Sequence, residues 1–248
     1  DWGFPKHPPM VAFFSEFFFK IFGPQDWAFY LMPQIFVVIS FYFIFKLANE
    51  IFSNQVLSLL SVLILESIFF YNYITPEFNV NICQLPFWTL VVYFSWKIYN
   101  SKQIKFFDCF LLGVFSALGF LTKYLFVFIL FPIFLFFIYV VFIKKKKKFD
   151  FKYLISVEVF LVLLVPHIIW LFNNDFETIS YAMKRSGLDE KEIMNHIQYP
   201  LIFLLKQIGI LIPFFILFWT LIKKFKFKIN INDKKLIFLL FINILPIL

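Results

Sequence analysis

The chain has 248 residues, 62% of them hydrophobic and only 15% charged, whereas a water-soluble domain runs at roughly 45–50% apolar and about 25% charged. Its formal net charge of +8 would point to nucleic acid in a soluble protein. Here the basic residues sit between long apolar runs, which assigns them to an anionic membrane surface and leaves no nucleic-acid partner. Apolar runs of about 20 residues recur, each long enough to cross a hydrocarbon core of roughly 30 Å as a helix. They lack the in/out alternation of a barrel, so the expected class is all-α: one polytopic transmembrane helical bundle over residues 1–248.

In chain order, residues 1–25 read as a polar, proline-rich loop, DWGFPKHPPM, followed by a short apolar stretch suited to a helix lying at the interface. Spans are predicted near 27–47, 55–74, 80–99, 106–121, 125–143, 153–172, 201–222 and 236–248, with a long polar loop at 173–199. The apolar stretch 106–143 is too long for one straight crossing but long enough for two helices at about 20 residues each. Their turn is expected at Thr122, Lys123 and Tyr124. Both ends of the chain read as truncated: Asp1 opens inside a loop and the last span is cut short.

Orientation follows from the lysines. Lys102 and Lys105, the run at 144–148 with Lys152, and Lys223, Lys224, Lys226, Lys228, Lys234 and Lys235 fall in three loops, which the positive-inside rule places on the cytoplasmic side. The opening HPP segment, TPEFN at 75–79, LTKY at 121–124 and the 173–199 loop then share the outer face.

Four groups on that face carry the candidate chemistry. Glu77 follows Pro76 ahead of a span, either as a solvated acid in a helix first turn or as a carboxylate facing a site. Lys123 either snorkels to the interface or holds a cation where a phosphate-bearing lipid headgroup would need one. His7, stiffened by Pro8 and Pro9, is a plain loop residue or a group that binds phosphate or a metal, or moves a proton. Trp170, Asn174 and Asp175 in WLFNNDF read as an interfacial anchor with caps, or as a sugar pocket. His167, inside a span, reads as a hydrogen-bonded structural histidine. Cys83 and Cys109 are not expected to pair.

Read together, these segments resemble one family in order. DWGFPKHPPMVAF is similar to the DWGYFDHPPLVAW signature of bacterial membrane glycosyltransferases of family 39, which are relatives of dolichyl-phosphate-mannose protein mannosyltransferases and more distantly of the lipid A aminoarabinose transferase. ITPEFNVNICQLPFWTL resembles the family's TPDxPLxxFWxL, with Glu77 at the acidic position. GVFSALGFLTKYLF resembles GLxxGLAxLTKY, and PHIIWLFNNDFETISY resembles PxLxWNxxxxWxT.

The resemblance implies a GT-C bundle in the bacterial inner membrane with its active site toward the periplasm or exterior. It implies an inverting hexosyl or pentosyl transfer from a polyprenyl-phosphate donor to a lipid, glycan or protein acceptor. It also implies that the principal catalytic acid precedes Asp1, with Glu77 in support, Lys123 and His7 at the donor phosphate, and Trp170, Asn174 and Asp175 around the sugar. A divalent metal stays open as a cofactor. Lys6 stands where the family usually carries an acid that some relatives place near a metal, which argues against a metal at that position. The competing class is a transporter or flippase for a lipid-linked sugar, for which Glu66 and Glu158 are the only acids deep enough to line a path.

Overall fold

The computed structural model describes residues 1–68, 71–185, 194–222 and 233–246, and among them every regular element is helical. In chain order these are α1 (Met10–Phe22), α2 (Asp26–Phe52), α3 (Gln55–Glu66), α4 (Val80–Asn100), α5 (Phe106–Thr122), α6 (Val127–Ile138), α7 (Lys152–Asn173), α8 (Glu177–Arg185), α9 (Asn195–Ile210), α10 (Ile212–Ile222) and α11 (Lys234–Ile244). A 3₁₀ turn at Tyr124–Phe126 leads into α6, and a π turn at Tyr139–Ile143 closes it. Three helical segments are long and apolar enough to cross a membrane, namely Asp26–Phe52, Tyr124–Ile143 and Lys152–Asn173. The protein is thus an all-α polytopic membrane protein.

Helix α4 is the hub. It packs against α2 on one side and α5 on the other, while α5 in turn packs against α7 and α11 against α6. Its buried face runs through Cys83, Phe87, Val91, Phe94 and Trp96, none more than 6% exposed. Asn79 starts the helix where it does: its side-chain oxygen accepts from the amides of Asn81 (2.9 Å) and Ile82 (3.3 Å), satisfying two of the free donors at a helix start. Asn54 caps α3 in the same way, and Asp233 caps α11 through the Lys235 amide.

Two spans differ from expectation. The predicted crossing at 55–74 is helical only to Glu66, and twelve residues rise only about 18 Å. Polar side chains end it: the Ser67 hydroxyl donates to the Ile64 carbonyl (2.6 Å), and the Asn72 amide reaches back to the Glu66 carbonyl (2.6 Å). Such side chains compete for the carbonyls that a continuing helix would use. The predicted crossing at 201–222 is divided at Leu211, where α9 and α10 meet at 53°. Pro213 lacks the amide that would bond the carbonyl of Gly209, which removes a rung at that point. The 173–199 loop contains α8, with Glu177 in its first turn and Lys184 and Arg185 in its last, as the helix dipole favours. Both cysteines are free and buried.

Polar side chains gather at the two ends of the bundle. At one end, Lys234 donates to the Asn100 side chain (2.6 Å), Lys235 to the Ile51 carbonyl, Lys152 to the Ile104 carbonyl (3.0 Å) and Lys147 to the Ser101 carbonyl. Of the predicted loop lysines, Lys223, Lys224, Lys226 and Lys228 lie outside the described residues. The same end holds the ion pair that ties α4 to α5, Lys97 Nζ to Asp108 Oδ1 at 2.8 Å, with the carboxylate only 5% exposed. Replacing Lys97 by Met strands a buried carboxylate. The expected cost is about 3 kcal/mol of stability, read as a lower midpoint in a detergent or lipid-disc melt, and Lys97→Met with Asp108→Leu recovers most of it.

Candidate functional site

The opposite end of the bundle is built around the turn between α5 and α6. Thr122, fully buried, ends α5 with its hydroxyl on the Leu118 carbonyl (2.9 Å) and 3.8 Å from the Cys83 thiol. Lys123 then leaves the helix in an extended conformation (φ −160°, ψ 130°), and the Phe126 amide closes the turn on its carbonyl at 2.9 Å. Gly119 makes this possible: a Cβ there would lie 2.3 Å from the Phe126 ring, which folds back against the helix. The turn holds the Lys123 ammonium at the rim, where it donates to the Asn81 side-chain oxygen at 2.9 Å, in the first turn of α4.

The next residue anchors the turn to α7. The Tyr124 hydroxyl and His167 Nε2 are 2.7 Å apart, and His167 Nδ1 lies 2.6 Å from the Trp2 carbonyl oxygen. A carbonyl only accepts, so Nδ1 carries the proton and Nε2 accepts from the tyrosine. His167 is 1% exposed and stacks on Trp170, 6.0 Å between centroids and 8° between planes.

These contacts clamp the start of the chain over the site. Beyond the bond to Trp2, the Thr178 hydroxyl of α8 donates to the Phe4 carbonyl at 2.6 Å. Gly3 lies against the Trp170 ring so closely that a Cβ would sit 2.2 Å from it. The Phe4 amide bonds the His7 carbonyl (3.2 Å), and Pro8 and Pro9 are buried. His7 is thereby brought to Lys123 from far along the sequence.

Among the described residues, the charges acting on His7 and Lys123 are positive. Burial first, then the charges of Lys123, Arg185 and Lys6, push the His7 imidazole below its ordinary value. Burial and then the Arg185 guanidinium push the Lys123 ammonium down as well. Among the described residues no ion pair reaches Lys123. Cations crowded together with no ion-paired carboxylate among the described residues repel one another, and a nearby anion would relieve that repulsion. Arg185 was not singled out from sequence. A signal existed: it is the single arginine among 23 basic residues, and arginine is the side chain suited to forked phosphate contacts.

The other candidates fall elsewhere. Glu77 is exposed and lines a separate hollow of about 480 Å³ with Ser15, Tyr30 and Pro76. The Asn174 amide is turned back onto the Trp170 carbonyl (2.8 Å), and Asp175 occupies an exposed left-handed turn (φ 50°). Trp170 belongs to the clamp. Two further polar atoms on α4, Gln84 Oε1 and Trp88 Nε1, are buried without a hydrogen-bond partner among the described residues, and the Trp88 ring packs edge-on against Phe126 of the turn at 5.8 Å. Among the described residues no three His, Cys, Asp or Glu side chains group as a metal site would. Glu66 and Glu158 are both exposed on the surface of the bundle.

The described residues thus form an apolar helical bundle in which Lys123, Arg185 and His7 act on one another at one helix end. Residues 6–170 match the model of the dolichyl-phosphate-mannose-protein mannosyltransferase family, and the chain belongs to that family. No curated protein and no solved structure matches it significantly. Family membership decides for a transferase over a transporter or flippase.

The clamp gives a direct test. His167→Leu removes the acceptor of the Tyr124 hydroxyl and the donor to the Trp2 carbonyl, at about 2 kcal/mol for half-buried polar groups. Limited proteolysis should then cut within residues 1–9 much faster than in the parent, while the rest of the chain stays protected.

Proposed function

We propose that this protein transfers a sugar from a polyprenyl-phosphate donor to an acceptor at the membrane face opposite the lysine-rich end, which is the outer face of a bacterial inner membrane. The observation that supports this most is the convergence of Lys123, Arg185 and His7 with no opposing carboxylate among the described residues. When the bond from the anomeric carbon to the phosphate oxygen breaks, negative charge grows on the leaving polyprenyl phosphate. Cations already fixed at that spot stabilise the transition state without reorganising. Lys123 is positioned by Asn81, and Arg185 offers the forked donor geometry that phosphate oxygens fit.

The sugar would lie beneath the turn, between the clamp and α4. There Trp170 offers an aromatic edge, Gln84 Oε1 an acceptor and Trp88 Nε1 a donor for hydroxyls. Asn174 and Asp175 would contribute from the rim only after turning inward. Glu77, in its own hollow beside α1 and α2, would orient the acceptor. Deprotonation of that acceptor falls to a carboxylate other than Glu77, since no described acid adjoins the cations. A divalent metal would require ligands beyond the described residues.

Two measurements test the reading in proteoliposomes with labelled polyprenyl-phosphate sugars. Lys123→Ala and Arg185→Ala should each lower kcat/KM by about 10- to 100-fold, as expected for losing a charged hydrogen bond of roughly 1.5–3 kcal/mol. Wild-type turnover in both variants would remove the phosphate assignment.

The second measurement uses pH. His7 has a lowered folded-state value, so it is neutral at pH 7, and protonation as pH falls costs the unliganded protein stability. A donor phosphodiester, charged throughout, favours the protonated ring. Donor affinity should therefore rise as pH falls from 7 toward 5.5. His7→Gln should make it flat.

A further inference from the structure

The lysine-rich end carries a second hollow whose chemistry is unrelated to sugar transfer. Between α5, α6 and α7 lies an apolar groove of about 350 Å³, floored by Leu112 and walled by Phe137, Phe149 and Val157. Phe149 also lines the adjoining hollow of about 800 Å³, where Lys102, Lys146, Lys147, Lys148 and Lys152 meet a single acid, Asp150. Five cations against one anion leave a formal charge of +4 at the mouth of a greasy slot.

We propose that this end binds an anionic diacyl phospholipid, its acyl chain in the groove and its headgroup phosphate among the lysines. Three observations support this occupant. First, basic hollows between membrane helices complement anionic headgroups, at about 1 kcal/mol per lysine near the surface. The hollow is under like-charge stress: the Lys147 ammonium is pushed down by burial and by Lys234.

Second, the boundary between slot and hollow carries an unpaired donor. The Tyr153 hydroxyl, in the first turn of α7 and on the groove wall, is buried with no partner among the described residues. A glycerolipid brings ester carbonyls to that level, between headgroup and tail, whereas a polyprenyl chain brings none.

Third, the hollow is held open by its own lysines. Lys147 and Lys152 are pinned to the Ser101 and Ile104 carbonyls, while Lys146 and Lys148 stand exposed. The adjacent wall of α6 relaxes into the π turn at Tyr139–Ile143, a distortion that recurs at binding sites. A second copy of the chain fits this end poorly, since it would bring the same lysines against these.

Native mass spectrometry of the 248-residue chain, offered equal amounts of phosphatidylglycerol and phosphatidylcholine, tests the assignment. The expected result is preferential retention of phosphatidylglycerol. Lys146→Glu with Lys148→Glu, both in an exposed loop, should weaken it by at least about 30-fold. Val157→Trp, which fills the groove from its lipid-facing side, should weaken both lipids. Tyr153→Phe should weaken phosphatidylglycerol by about fivefold, the worth of one hydrogen bond, and leave polyprenyl phosphate unchanged.

Several results would overturn the proposal: equal retention of the two lipids, unchanged retention in the charge-reversed variant, or full displacement by free glycerol phosphate. Dimer loss in Val157→Trp with lipid binding intact would assign the groove to a partner helix instead. Should Val157→Trp fail to fold, the charge-reversed variant decides alone.

Discussion

Hydrocarbon offers no hydrogen bonds, and this constraint arranges almost everything in the molecule. Serine and threonine side chains inside the helices bond their own backbone: Ser15 to Val11, Ser40 to Phe36 and Ser61 to Leu57. The side chains able to reach a ligand are concentrated at the helix ends. The result is a bundle whose interior is aromatic packing, such as Phe238 against both Trp96 and Phe136, and whose two ends carry different chemistry. One end is lysine loops bonded to backbone carbonyls. The other is a cation cluster roofed by the first residues of the chain.

The site end depends on a few groups that meet across long stretches of sequence. His167 joins α7 to residue 2, Thr178 joins α8 to residue 4, and Lys123 joins the α5–α6 turn to α4. Each contact is polar and short, and the two made by His167 and Thr178 are half-buried, where an unmet partner would be costly. The gathering of cations is therefore a by-product of how the roof is fastened. Closing the roof brings His7 toward Lys123, and α8, fastened by Thr178, carries Arg185 to the same place.

Much of this was legible in the sequence, for identifiable reasons. Span composition gave the all-α class, and the tight turn at Lys123 followed from the length of one apolar run against membrane thickness. The ordered motifs around His7, Glu77, Lys123 and Trp170 led to the family. Helix ends set by polar side chains were not legible: a run such as 55–74 looks continuous to a hydropathy window, while Ser67 and Asn72 stop the helix at Glu66. Nor was the role of Arg185, because one basic residue in a polar loop has no pattern around it. Its meaning comes only from a helix that carries it to a turn some sixty residues earlier. Asp175 shows the converse, since its residue type suited a sugar site but its backbone turn holds it outward.

The roof also has a consequence for how such a site can change over time. His167 and Thr178 grip the carbonyl oxygens of Trp2 and Phe4, groups that every amino acid possesses. The Trp2 ring adds its own edge contact with Phe13, and position 3 must stay bare to clear Trp170, but the exposed side chain at residue 4 is free of the fastening task. Variation at residue 4 can alter the outer surface of the lid without loosening it. A chain built this way can alter that surface while leaving in place the cations beneath it.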